Sequence, residues 1–557
     1  SRTTTGKPLL ANDPHLAGQI PSIWYQAGLH CRHKSEVCPY DVAGFTFSGF
    51  PGVIIGHNDR IAWGFTNLGP DVTDLYLELV DEDSYLYDGQ RYPLESRREV
   101  ILVKGADPVE FTVRSTRHGP LVSDVDSELA EVGKQAPAGD EAPPGGLATG
   151  VALRWTALDA GHTADSVFQL NAAQNWKEFR EAAKLFEVPA QNLIYADVDG
   201  HIGYQAPGRI PVRKGGTGEW PMPGWSSSYG WVAWVPFDKL PSVYDPPEGY
   251  IATANNAVAG KSYPYRLADH YAYGYRAREI TDRLSGGEKQ SVESMSSIQQ
   301  DTRNGFAPEL VPYLQRVKGL DAFTRQGLAT LKNWDFSQGT DSAPAAYFNA
   351  VWDNLLELTF DDELPVDARP SGGDRWFEVV RRLLADPDNK WWDDVRTKDV
   401  RETRDAILKT ALLEARVDLT HKLAKDPSRW RWGRLHQLSL ENQTFGQSGI
   451  GPLESLFNRG PYEVGGSSDA VLATGWNASA DPENVFAVTG LPSMRMVVDL
   501  ANFDRSRWVN LTGASGHPGS DHYDDQIPLW LAGETTAWPF SAGVVEKAAP
   551  QRLVLRP

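Results

Sequence analysis

FPGVIIGHNDRIAWGFTNLGPDVTDLY, residues 50–76, carries two short apolar runs, GVIIGHN and RIAWGFTN, that meet at an Asn-Asp pair. A third run, LYLELV, starts a few residues after Gly69-Pro70. Runs this short, apolar or alternating and bounded by Gly, Pro, Asn and Asp, read as β-strands. The same signature extends outward through SIWYQAGLH and DVAGFTFSGF on one side and EVILVKG on the other, so residues 1–125 read as β-rich.

Residues 126–148 are acidic, rich in Ala, Pro and Gly and non-periodic, the composition of a mobile surface insertion. VALRWTAL then reads as a strand. Residues 166–186 have helical spacing, with Phe168, Leu170, Trp176, Phe179, Ala183 and Phe186 on the inward face. NLIYADVDGHIGY reads as a hairpin around Asp199-Gly200. Helix-length amphipathic segments fill 276–425, and β and loop patterns return from about 426. With no internal repeat, the order predicts an α+β body in three stretches: β-rich 1–275, mainly helical 276–425 and β-rich 426–557.

The 557 residues carry a net charge of −19, which disfavours nucleic-acid binding, where phosphate neutralisation leads. No run of about 18 apolar residues is present, so no membrane span is predicted. No signal peptide is recognisable, and KPLLAND is strand-like almost at once, the beginning expected of a processed or truncated product. Cys31 and Cys38 are the two cysteines. A disulfide closing a small loop is favoured over a metal site with His33, which lacks a second ligand pair. The disulfide places the protein outside a reducing cytosol.

H-E-x-x-H, the P-loop, zinc-type cysteine sets and G-x-S-x-G are all missing from the sequence. Three stretches remain. NDPHL places His15 just after a strand, although a lone His is more often structural. TNLGPDVTDLYLE sets Asp71 and Asp74 around a turn, and carboxylates with carbonyls suit calcium, although Asp is common in turns. GYIATANNAV ends an apolar strand on two asparagines, whose side-chain amides can donate to an oxyanion or simply form a turn.

GKPLLANDPHL, residues 50–76, LRWTAL, NLIYADVDGHIGY, GYIATANNAV, YRAREI and GHPGSDHYDDQ, in this order, resemble the large β-subunit of the penicillin acylase family of N-terminal-nucleophile hydrolases. The resemblance implies a four-layer αββα sandwich. It also implies a precursor that cleaves itself into a small α-subunit and this larger one. The activity it implies is hydrolysis of an N-acyl amide, of a β-lactam, an acyl-homoserine lactone or an acylated peptide, through a serine acyl-enzyme. No organic cofactor is implied. The base in such a site is the serine's own α-amine, whose ordinary pKa of about 8 suits neutral pH.

By the same resemblance, the oxyanion donors are the Asn255 side chain and the Asn67 backbone N–H. Arg276 orients the asparagine, with Arg278 as the fallback, and His15 stands beside the nucleophile's amine. Leu16, Ile55, Phe65, Trp155 and Gln191 line the acyl pocket. A structural calcium falls to Asp71, the Thr73 carbonyl, Asp74, Gly218 and Asp269. His15 departs from the glutamine usual in phenylacetyl-type enzymes. SRTTTGK matches a serine inside the family pattern, so the nucleophilic serine is expected roughly eight residues upstream of Ser1. The location implied is secreted, periplasmic or envelope-associated. The rival reading is an acylase-like binding or structural scaffold without its nucleophile.

Overall fold

The computed structural model describes residues 2–135, 147–373, 375–480, 483–549 and 551–555. Two antiparallel sheets face each other. The larger has seven strands in the order 242–244, 202–205, 191–197, 61–67, 55–58, 41–47 and 24–30. The smaller has four, in the order 9–12, 494–499, 507–510 and 536–537. Leu10, Met494, Met496 and Val498 of the smaller sheet share one buried core with Val42, Phe45, Ile61, Trp63, Phe65 and Tyr195 of the larger. Alternation divides these side chains between the two faces of the larger sheet: Phe45 meets Trp508 and Trp538 on the side of the smaller sheet, whereas Phe65 and Tyr195 meet Phe186 and Phe179 on the opposite side.

Polar groups lock the two sheets together. Asn12, at the end of strand Leu9–Asn12, is buried and offers its amide to strand Ile61–Asn67. Its Oδ1 accepts from the Phe65 N–H at 2.8 Å, and its Nδ2 donates to the Phe65 carbonyl at 2.9 Å. The side chain thus replaces the strand neighbour that Phe65 lacks, since the pairing of 55–58 with 61–67 ends at Gly56↔Trp63. Gly64 leaves room for this amide: a Cβ there would lie 2.9 Å from Asn12 Oδ1.

Helices Thr163–Ala172 and Trp176–Lys184 cover the larger sheet, inserting Val167, Leu170, Phe179 and Ala183 into the same core, which Phe186 joins just past the second helix. The single helical segment read over 166–186 is therefore two helices; Asn175 starts the second by accepting from the Glu178 N–H. Helix Val292–Gln299 packs against strand Met494–Asp499 of the smaller sheet. A second core forms around Phe306, Trp352 and Phe377, where the last two rings stack at 5.3 Å, and it extends beyond the helical stretch to Trp430, Trp432, Trp476 and Phe486.

One further sequence reading changes and one holds. Within the segment read as an irregular insertion, Ser127–Gln135 forms a helix against strand Ala148–Trp155, while 136–146 lie outside the described residues. Cys31 and Cys38 form a disulfide with Cα atoms 5.9 Å apart.

Asn12→Ala strands both backbone groups of Phe65 and should cost about 2–4 kcal/mol. Chemical denaturation checks this: the midpoint should fall with no change in slope.

Candidate active site

Asn255 adopts a left-handed backbone, φ 63°, which asparagine tolerates better than most residues. That turn aims its side chain across to strand Ile61–Asn67, where Nδ2 donates to the Asn67 carbonyl at 3.0 Å. Arg276, in the first turn of helix Tyr275–Ser285, donates Nη2 to Asn255 Oδ1 at 3.0 Å. The guanidinium fixes which end of the amide is which and presents the donor end. Arg278 points elsewhere, its guanidinium over the Tyr275 ring. Asn192 Nδ2 holds the Asn67 carbonyl from the other side at 3.1 Å. Alternation along the strand turns the Asn67 N–H to the same side as the Phe65 N–H, away from strand Gln191–Asp197. Two N–H donors, one backbone and one side-chain, are thus brought together at one residue, Asn67.

His15 stands beside them on the short strand His15–Leu16, paired with Leu491–Pro492. Burial, reinforced by the charges of Arg276 and Arg495, pushes its imidazole down to about 3, so it is neutral at physiological pH. Its Nε2 lies 3.9 Å from Asp13 Oδ2. Arg495, buried on strand Met494–Asp499, lies over the Trp530 ring at 4.4 Å and donates to the Trp530 carbonyl at 3.0 Å.

A cavity of about 630 Å³ opens directly from these groups. Leu16, Ile55, Phe65 and Gln191 line it, together with Trp24, Phe47, Phe50 and Phe186. Trp155 does not. It ends strand Ala148–Trp155, paired with Thr73 in a different sheet, and is 41% exposed. Asp13 and Arg276 are the acidic and basic side chains at the cavity wall besides His15, and Arg276 already serves Asn255. A second cavity, about 620 Å³, runs beside strand Leu9–Asn12, and Asp13 and Thr66 line both.

The residues expected to hold calcium are engaged otherwise. Arg213, almost wholly buried, donates Nη2 to Asp74 Oδ1 at 2.8 Å and Nε to Asp74 Oδ2 at 3.0 Å. The same Nη2 reaches Asp71 Oδ2 at 3.2 Å. Trp231 Nε1 donates to Asp74 Oδ2 at 2.6 Å. Gly218 packs on this ion pair: a Cβ would fall 2.5 Å from Asp74 Oδ1 and 2.7 Å from Arg213 Nε. Asp269 pairs with Arg266 instead. Among the described residues no group of three or more His, Cys, Asp or Glu side chains can hold a metal. As arranged, these residues do not fit calcium, because the guanidinium already takes the cation's place between the two carboxylates.

Asn12, Asp13, Asn192 and Arg495 escape the sequence reading. Asp13, two residues before His15, had the one usable signal, but Asn-Asp-Pro reads as a turn. Ser1 lies outside the described residues.

The sequence profile of the penicillin amidase family matches residues 1–547. The acyl-homoserine lactone acylase QuiP of Pseudomonas aeruginosa is 29% identical over 604 residues, spanning 100% of this chain and 68% of that protein. The penicillin acylase 2 proenzyme of Pseudomonas sp. (strain SE83) is 31% identical over 546 residues, 95% of this chain and 64% of that protein. The structure of a thermostable penicillin G acylase from Alcaligenes faecalis superposes with a TM-score of 0.72 at 22% identity, covering 100% of this chain and 98% of the other. An α+β fold of this kind and a family match across nearly the whole length lead to one assignment: the chain belongs to the penicillin amidase family.

Proposed function

We propose that the protein is an amidohydrolase that removes an apolar acyl group from an N-acyl compound through a serine acyl-enzyme. One observation carries the reading: the Asn255 amide, oriented by Arg276 and tied to the Asn67 peptide, sits at the mouth of the apolar 630 Å³ cavity. An acyl chain in the cavity brings its carbonyl to the Asn67 N–H and Asn255 Nδ2, where the tetrahedral oxyanion gains its charge. Neutral His15 adds no cation at this point. A dicarboxylic acyl group such as glutaryl finds no uncommitted arginine among the lining side chains, which favours hydrocarbon chains. The acyl-homoserine lactone and penicillin acylases among the relatives fit this class.

The nucleophile in this reading is a serine about eight residues before Ser1, using its α-amine as base. Thr3 Oγ1 donates to the Lys7 carbonyl at 2.6 Å, closing a turn that would send a preceding segment back along strand Leu9–Asn12. That strand ends the four-stranded sheet, and the 620 Å³ cavity runs along it to Asp13 and Thr66. Helix, sheet, sheet and helix contacts support a four-layer αββα sandwich. We further infer a small α-subunit cut from the same precursor. The disulfide supports a secreted, periplasmic or envelope location. In place of structural calcium, we infer that Arg213 supplies the cation.

Three outcomes are expected. Asn255→Ala should lower kcat about 10²–10³-fold in steady-state kinetics with little change in KM. Side-by-side assays of phenylacetyl, glutaryl and long-chain acyl amides should show the glutaryl amide cleaved slowest; a preference for glutaryl contradicts the apolar-acyl assignment. Chelation of divalent ions should leave the thermal midpoint unchanged, whereas Arg213→Met should cost about 3–5 kcal/mol in denaturation by leaving Asp74 buried and unpaired.

A further inference from the structure

Asp13 has no role in the reading above, yet it occupies the point where the two cavities meet. Its Oδ2 is buried and makes no hydrogen bond. His15 Nε2, 3.9 Å away, and the amide oxygen of Gln299, on helix Val292–Gln299, are also buried and unbonded. A carboxylate oxygen and an amide oxygen can only accept, and the neutral imidazole can present a lone pair. Burial makes unmet acceptors costly; a proton on Asp13 itself can satisfy one of them, and a donor with several hydrogens would satisfy the whole cluster. The nearby cations are committed: Arg495 to the Trp530 carbonyl and ring, and Arg276 to Asn255. Burial pushes the Asp13 carboxyl up to about 7 against the pull of Arg495, of a hydrogen bond with the Gln299 side chain and of Arg276. A small cation reaching Asp13 from the groove would return it to the ionised form.

We propose that Asp13 is a positioning residue for the catalytic base, its carboxylate holding the protonated form of the primary amine that ends the segment lying along strand Leu9–Asn12. This rests on the N-terminal-serine reading. In acylation the serine O–H breaks, its proton goes to the amine, and the oxygen bonds to the acyl carbon. The resulting ammonium donates to Asp13 Oδ2. When the C–N bond breaks, the same proton passes to the leaving nitrogen and the amine is free again. Asp13 gains no proton in the cycle. It stabilises the charge while the amine carries it.

The test uses the complete mature enzyme. Asn is a close shape match for a carboxyl held near neutrality, so Asp13→Asn should fold. Arg495, Arg276 and His15 face the amine in both proteins. Removing the anion should therefore move the acid limb of kcat/KM against pH down by about one unit. It should also lower kcat at least about tenfold, and Asp13→Glu should restore the limb. An acid limb that stays in place in Asp13→Asn overturns the proposal. If that variant is inactive, the pH dependence of cyanate labelling of its terminal amine reads the same shift, and an unshifted amine overturns the proposal. Sequencing the mature large chain separates the two levels. A first residue other than serine overturns the nucleophile reading and this inference together, whereas serine with an unmoved limb overturns this inference alone.

Discussion

The double hydrogen bond between the Asn12 amide and the Phe65 backbone connects fold to site. It joins the smaller sheet to the larger at the place where the larger sheet loses a strand neighbour. Residues 13–15 follow directly from one partner and 66–67 from the other. The relative position of His15 and Asn67 is therefore fixed by two short backbone steps from one buried amide. A similar clamp sits farther along: Asn510 Nδ2 donates to the Trp24 carbonyl at 2.9 Å, and Trp24 Nε1 donates to Ser493 Oγ at 2.8 Å. Apolar burial drives the sheets together but has no direction. The polar clamps set how they sit, and a site assembled from both sheets needs that setting.

Much of the architecture is legible in the sequence because it is local. Strand runs such as RIAWGFTN and the Asp199-Gly200 hairpin carry their own periodicity and turn chemistry. The residues that meet at the site are legible only through the ordered motifs, since nothing local joins Asn67 to Asn255, 188 residues apart. Trp155 shows the limit. Its segment reads as a strand and is one, but which sheet receives it depends on pairing with Thr73–Val80, which no periodicity reveals. The acidic turn at Asp71 and Asp74 shows another. Two carboxylates in a turn fit a metal until Arg213, 139 residues beyond Asp74, enters between them. In helix Ser127–Gln135, Gly133 is buried against strand Ala148–Trp155, so tertiary contact supplies what the local composition withholds.

The two guanidinium sites illustrate opposite uses of one group. Arg213 lies between two carboxylates that more than balance its single charge, so its positive charge ends locally. Arg276 and Arg495 each donate to a neutral acceptor, the Asn255 amide and the Trp530 carbonyl, and their charge also reaches Asp13 and His15. Its effect is visible on both sides: it opposes the rise of Asp13 and deepens the fall of His15. A neutral imidazole beside the oxyanion donors is thus a consequence first of burying the ring and then of the two arginine charges near it.

That arrangement also constrains the chemistry. An oxyanion is best stabilised by dipoles already pointing at it, because reorienting them during the reaction would cost part of what they contribute. Here Asn255 cannot swing freely: Arg276 holds its oxygen and the Asn67 carbonyl holds its nitrogen. Asn67 is held in turn by Asn192 on the neighbouring strand, whose Oδ1 accepts from Tyr204 at 2.6 Å. The chain Tyr204–Asn192–Asn67–Asn255–Arg276 runs from the strand beside one edge of the larger sheet, across two more strands, to the first turn of a helix. Moving either donor alone would break at least one link. The rigidity of the site therefore comes from the continuity of this chain rather than from any single bond, and it explains why a left-handed asparagine is retained where glycine would fit the backbone more easily but could supply no link.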